Sequence, residues 1–478
     1  MRLGRRFFLG GLAGLAAAPG LRAQGRAQGR AQEARWDTIV IGAGLSGLRT
    51  AMMLAEEGQK VLVLEATGRV GGRMYTLDAL PGRPEAGANS MLSGYGRGLG
   101  LAETLGLAML DVSARAKASA SMLALGGERM SVSAWKTSAR NPLPEPWRGL
   151  PPAAVPISVA GKRAVLEGED WCDPANAALD IGMDQVLREA GFSDAAIGVA
   201  YNTNPGYGRA ASEVSLLNLL FVASFFATQV ASGNRDHVVP GGNSRLPERL
   251  ATRMGAELRL QTPVAAVVQG PGGVEVKTLA GEVLRCDRVV CAVPLGPLGR
   301  IAFDPPLPAL HAQAAAQVPY MGIRQVHLVA DAPFWENDGP PPSLWTDGAL
   351  GSLAVNRGGA SDTEVTSFTA WARGSLADEL DAMPAADADA RVLAALGEAW
   401  PAARGRLKVG AVHSWARQPW QQGAWAVWKP GQASRLPRAV GQPHGRVHFC
   451  GEHSALSARG MEGALESAER VAVEILLG

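Results

Sequence analysis

Gly42, Gly44 and Gly47 stand in the order Gly-Ala-Gly-Leu-Ser-Gly, a spacing that lets a backbone turn tightly, admit a pyrophosphate and begin a helix packed close to the preceding strand. Amide groups at such a helix start lack partners and carry partial positive charge, so the chemistry on offer is phosphate binding. Glu65 supplies two carboxylate oxygens that suit the paired hydroxyls of a ribose. Arg69 and Arg73 bracket Gly71 and Gly72, giving a tight loop with guanidinium forks for phosphate and bare backbone for a large ligand to lie against. The elements that must position these groups are legible around them. Residues 36–41 are a β-branched run expected as a buried parallel strand, and Leu48, Ala51, Met52 and Ala55 repeat at helical spacing up to Gly58. Residues 60–64 are expected as a second strand that ends at Glu65. Strand, glycine turn, helix, strand and terminal acid predict a dinucleotide site, and the arginine loop directly after the acid points to FAD rather than NAD.

The chain has 478 residues and an apolar content of 47%, which suits one large two-lobed unit or two ordinary domains and excludes a disordered or fibrous protein. Arg5 and Arg6 precede Phe7, Phe8 and Leu9, an apolar run continues to Ala18, and small residues lead to Ala23. Residues 1–23 are therefore expected as a twin-arginine signal peptide, with the bacterial periplasm as compartment. The apolar run falls short of the roughly 20 residues a membrane span needs, so no stable span is expected. Removing Arg2, Arg5, Arg6 and Arg22 would take the formal charge from +2 to −2, and no nucleic-acid partner is expected. The repeated Arg-Ala-Gln-Gly tetrad makes residues 24–35 a flexible linker. Cys172, Cys286, Cys291 and Cys450 are too scattered for a disulfide framework and are expected as buried thiols. His444 and His448 flank a strand and His453 stands alone, so no metal is expected.

Beyond the glycine motif the chain resembles the flavin monoamine oxidase family of monoamine, polyamine and L-amino-acid oxidases. The resemblance runs through the loop from Arg69 to Thr76, Glu85-Ala-Gly-Ala-Asn89, Pro240-Gly-Gly242 and Pro263-Val264. It continues through Cys291-Ala-Val-Pro294, Ala332-Pro-Phe-Trp335, Trp420 with Gly423, Phe449-Cys-Gly-Glu452 and Gly460-Met-Glu-Gly-Ala464. It implies FAD contacts at Gly42, Gly44, Ser46, Gly47, Glu65, Ala66, Arg69, Gly72, Arg73, Ala88, Asn89, Val264, Trp420, Gly451, Glu452 and Met461. Within that set Glu452 would bind a ribityl hydroxyl and the Val264 backbone would pair with adenine. Flavin-linked segments at the start, middle and end imply an α/β fold. A Rossmann-like FAD-binding domain would be assembled from residues 36–95, 238–300 and 440–478. An interleaved α+β substrate-binding domain would come from residues 96–237 and 301–439. Met461, Leu465, Ala468, Ala472 and Ile475 recur at helical spacing, so Gly460 should open a closing helix whose positive end faces the flavin pyrimidine. The apolar segment 212–230 is expected as a buried helix walling the substrate cavity.

On the substrate side the resemblance places an aromatic cage at Trp425 and Gly460, where relatives carry two tyrosines, so half the cage is enlarged and half is missing. Ala424 stands where some relatives attach FAD through cysteine, implying noncovalent FAD. Gln325 stands where the family keeps a lysine near flavin N5; glutamine can hold a water but brings no charge to oxygen reduction. Gln325, Trp425 and Gly460 are thus the expected reaction-side residues, with a small-molecule amine as substrate. Electrons would pass to oxygen or, more in keeping with Gln325, to a periplasmic cytochrome c or quinone. A homodimer is left open. Ser90 replaces the arginine that holds a substrate carboxylate in L-amino-acid oxidases, which favours plain amines unless Arg97 or Arg209 substitutes. An L-amino-acid oxidase, a desaturase or porphyrinogen-type oxidase, and a catalytically silent FAD-binding protein are the alternatives.

Overall fold

The computed structural model describes residues 35–337 and 339–478. The expected leader, and all of the expected linker except Arg35, lie outside the described residues. Strand β1 (Arg35–Ile41) runs parallel between β2 (Val61–Leu64) and the strand Val283–Cys291, with Val40 paired to Val63 on one side and Val290 on the other. Burial on both faces explains why β2 and the second half of β1 read as unbroken apolar runs. Helix α1 (Leu45–Glu56) covers the sheet with Leu48, Ala51 and Leu54. Its neighbour is the closing helix Gly460–Leu477, to which Thr50 Oγ1 donates at the Ala468 carbonyl (3.3 Å).

The first sheet gathers strands from the start, middle and end of the chain. Its order is Ala302–Asp304, Val264–Gly270, Gly273–Thr278, Val283–Cys291, β1, β2 and Glu257–Arg259, with Val447–Phe449 beside the second half of Val283–Cys291. A second, seven-stranded sheet has the order Leu407–Ser414, Ile323–Ala330, Val365–Arg373, Ser352–Arg357, Ser343–Thr346, Ser121–Leu125 and Glu128–Ser131. Helices Ser375–Ala382 and Ala385–Ala399 bury one face of it through Ala377, Leu380, Val392 and Leu396. Strand alternation sends Arg324 to that face, where it pairs with Asp381 (2.9 Å) and Asp389 (3.3 Å), and turns Gln325 to the other.

The helix Leu216–Ala231 is buried over most of its length, with Phe221 stacked on Trp171 at 4.4 Å, but Phe226 and Val230 are exposed. It departs from expectation in one respect: no residue of it lines the cavity described below. Its aromatics stand one layer back, Phe225 against Tyr95 (5.6 Å) and Phe221 beneath Arg459 (5.3 Å). All four cysteines are buried free thiols. Among the described residues no helix is long and apolar enough to cross a membrane.

Candidate active site

The C-terminal ends of β1, β2 and Val283–Cys291 open on one side of a cavity of about 640 Å³, and strands of the second sheet close its other side through Ile323, Ser352, Leu353, Ala354, Trp371 and Arg373. At the nucleotide end, a side chain on Gly44 would meet nothing within 4 Å in the protein, so this backbone lies bare to whatever fills the cavity. The α1 N-terminus has no side-chain cap, leaving its first amides free for an anion. Gly47 does not line the cavity; a Cβ there would fall 2.0 Å from the Gly42 carbonyl oxygen, so its task is close packing of helix on strand. Glu65 does line it, held by the Ala43 amide (2.8 Å) and by the Thr67 amide (2.9 Å) and hydroxyl (2.7 Å). Ser46, Ala66, Gly72, Ala88, Asn89, Val264 and Trp420 share the wall.

Arg69 faces away from the cavity. Its guanidinium donates to the carbonyls of Val70 (3.1 Å), Met74 (3.1 Å) and Gly72 (2.6 Å) and lies 4.3 Å from the Tyr75 ring, so it braces the loop that carries Gly72 and Arg73. Arg73 is on the wall and donates to Glu452 Oε1 (2.9 Å) and to the Ala424 carbonyl (2.9 Å). Burial alone would raise the Glu452 carboxyl, but the Arg73 guanidinium, with the Ala426 amide, holds it below its ordinary value. Burial pushes the His453 imidazole down to about 4, so it stands neutral beside the pair. Gly451 also lines the cavity, its amide donating to Ser467 Oγ (2.9 Å). An open backbone at an anion-ready helix start, an acid at the end of β2, and a buried Arg–Glu pair further along fit the phosphates, ribose and polyol of FAD.

At the far end Trp425, Gly460 and Met461 line the cavity together with Tyr95. Trp425 donates from Nε1 to the Gly206 carbonyl (3.3 Å), and its ring lies 6.0 Å from Tyr207. Gly460 opens the closing helix, and a Cβ there would be 3.7 Å from the Tyr95 hydroxyl, so that phenol faces the room left by the missing side chain. Burial pushes Tyr95 up to about 12, keeping it neutral. Gln325 is fully buried and does not reach the wall. It donates to the Glu85 carbonyl (3.4 Å), while Trp415 Nε1 donates to the next carbonyl, that of Ala86 (2.6 Å). These two side chains brace the turn that lines the cavity in Gln325's place. Gln325 Oε1 is left without a partner, as are His327 Nε2 and His413 Nε2.

Neither expected substitute for a carboxylate-binding arginine is free. Arg97 pairs with Glu462 and Glu469, Arg209 pairs with Asp378, and the Ser90 hydroxyl donates to Asp236 (3.0 Å). Tyr95, Trp371, Trp415 and Arg373 also line the cavity and belong to none of the sequence motifs. The signal for two of them was the two-residue spacing of Trp371 and Arg373, which puts both on one face of a strand.

A family model described as flavin containing amine oxidoreductase matches residues 45–476. The chain is 26% identical over 470 residues to amine oxidase [flavin-containing] A of Canis lupus familiaris, covering 92% of this chain and 85% of the relative. It is 26% identical over 468 residues to amine oxidase [flavin-containing] B of Homo sapiens, covering 92% and 86%. Among solved structures, cyclohexylamine oxidase from Brevibacterium oxydans superposes with a TM-score of 0.76 at 25% identity, covering 92% of this chain and 99% of that one. Putrescine oxidase bound to putrescine gives 0.75 at 24% identity, covering 93% and 100%.

Proposed function

This chain belongs to the family of flavin-containing amine oxidoreductases, and from that premise we propose that it oxidises a small amine at the carbon bearing nitrogen, holds FAD noncovalently and hands its electrons chiefly to an acceptor other than oxygen. The observation that carries this reading is one continuous cavity, with Gly44 and Glu65 at one end, the Arg73–Glu452 pair within it, and Trp425 with Gly460 at the other. FAD supplies the acceptor for hydride and electrons, so the protein contributes geometry and exclusion of water. Trp425 and Tyr95 offer aromatic surface to an uncharged amine, and the missing side chain at Gly460 leaves space beside the Tyr95 hydroxyl for a bulky or branched one.

Noncovalent binding is supported by Ala424 on the wall and by the absence of all four cysteines from it. Acid denaturation is expected to release all yellow colour from the polypeptide. The poor use of oxygen is supported by the neutral Gln325, whose free acceptor atom suits a water and adds no positive charge. For an acceptor we propose a periplasmic cytochrome c or quinone, reached after twin-arginine export; Arg5-Arg6 ahead of Phe7 supports this, and the N-terminal mass of periplasmic protein tests it. The main test is anaerobic mixing of the holoprotein with aryl, alkyl, cyclic and polyamines while flavin absorbance is followed. Bleaching by at least one class is expected. A flavin left oxidised by every class would overturn the reading in favour of a silent FAD-binding protein.

A further inference from the structure

Arg373 offers the cavity a guanidinium that no carboxylate among the described residues neutralises. It is the last residue of the strand Val365–Arg373 and lines the wall beside Trp371, whose ring lies 5.5 Å from its guanidinium carbon. Among the described residues it has no ion-pair partner and no hydrogen-bond acceptor. The other arginines on the wall are engaged, Arg73 by Glu452 and Arg300 by the Pro419 carbonyl (3.0 Å). Burial lowers the pKa of Arg373 from its ordinary value against the opposing pull of the Tyr207 phenol, and the side chain is half-buried on the cavity wall. An unpaired guanidinium facing a largely apolar cavity is poorly compensated there, and an arriving anion would give it a charge-assisted partner.

Its place in the sheet says what the anion belongs to. Trp371 is paired with Gln325 and Arg373 with Ile323, so Arg373 stands one two-residue step, about 7 Å, along the sheet from the Gln325 row. Gly374, next in the chain, packs on Pro205 and Gly208, which flank the Gly206 carbonyl and the Tyr207 ring that meet Trp425. Arg373 therefore belongs to the Trp425 end of the cavity, away from the phosphate-binding turn. We propose that Arg373 binds a carboxylate at the far end of the substrate, separated from the reacting carbon by a few methylenes, so that the substrate class is amines with a distal carboxylate. A carboxylate on the reacting carbon itself would lie back toward the Gln325 row. The reaction assumed is the amine oxidation proposed above; recognition of the anion is measurable without it.

The test begins with binding. Oxidised holoprotein is titrated calorimetrically with pentanoate and with neutral pentanamide, for the wild type and for Arg373→Met and Arg373→Lys, after FAD content has been measured in each. Pentanoate is expected to bind the wild type more tightly than pentanamide by roughly 10- to 150-fold, the range of a charge-assisted hydrogen bond. R373M should lose that preference and R373K, which keeps the charge but not the fork, should retain part of it. Equal binding of the two probes by the wild type, or an unchanged preference in R373M, overturns the proposal. Loss of FAD from R373M also overturns it, by making Arg373 a cofactor ligand. Turnover then compares 5-aminopentanoate, pentylamine and norvaline. The kcat/KM ratio of 5-aminopentanoate to pentylamine should fall in R373M by the same factor, whereas a wild-type preference for norvaline refutes the distal placement. If pentanoate binding depends on Arg373 but no amine bleaches the flavin, the oxidation reading fails and the anion site stands.

Discussion

Replacing Arg73 with methionine keeps most of the side chain's volume and removes the guanidinium that faces Glu452. The carboxylate would retain the Ala426 amide at 3.1 Å as its remaining protein donor. Side-chain exposures of 22% and 14% place the pair largely out of water. Breaking a fully buried pair costs about 3–5 kcal/mol, and the residual solvent here sets the expected loss near the lower end, about 3 kcal/mol, or roughly a 150-fold shift in the folding equilibrium. Denaturant unfolding of the apoprotein, with R73M, E452Q and R73M/E452Q completing a double-mutant cycle, measures it. The double variant should recover most of the loss, because the uncompensated carboxylate is gone. The pH dependence carries a definite sign. Glu452 is held below its ordinary value of 4.5 in the folded wild type, so the pair's contribution is full above about pH 5 and disappears as pH falls through the folded value. In R73M the stranded carboxyl takes up a proton more readily, so the penalty should shrink between pH 8 and pH 5. A penalty equal at both pH values, or a double variant no better than R73M, would refute the account.

Gly47→Ala should prevent stable folding, since the new methyl would sit 2.0 Å from the Gly42 carbonyl oxygen, whereas Gly44→Ala, whose methyl meets no protein atom, should fold but retain little FAD; circular dichroism and flavin content separate the two outcomes. Gln325→Lys should speed reoxidation of substrate-reduced enzyme by oxygen by about tenfold or more through an added positive charge, read by stopped-flow mixing; no acceleration would count against the part assigned to that position. Burial pushes Glu85 up to about 7, so below its ordinary value of 4.5 it costs nothing and the penalty of ionising it grows as pH rises through 7. Glu85→Gln should therefore gain stability over the wild type by at most about 3 kcal/mol at pH 8 and by little at pH 4.5, as thermal unfolding at the two pH values would show.

The nucleotide half of the site was legible in the chain because its parts are local. Gly42, Gly44 and Gly47 act within one turn, Glu65 ends the next strand, and Gly460 begins a helix whose period is written in Leu465, Ala468 and Ala472; each depends on spacing within a few residues. The assembly of one sheet from three separated stretches followed from the order of the motifs. What the sequence could not determine depends on which side chains long-range packing brings together. Arg69 has the composition of a phosphate ligand, yet three carbonyls of its own loop surround it. Gln325 occupies the expected strand, but it donates to the Glu85 carbonyl, 240 residues earlier, and Ala86 and Gly87 rather than Gln325 line the cavity. The helix Leu216–Ala231 is as apolar as a cavity wall should be, and Tyr95 stands in front of it. Arg97 and Arg209 look as free in the chain as Arg373 does. Only the fold brings Glu462, Glu469 and Asp378 to the first two and none to the third, because ion pairing is decided by distance in space and the nearest carboxylate along the chain need not be the nearest in the molecule.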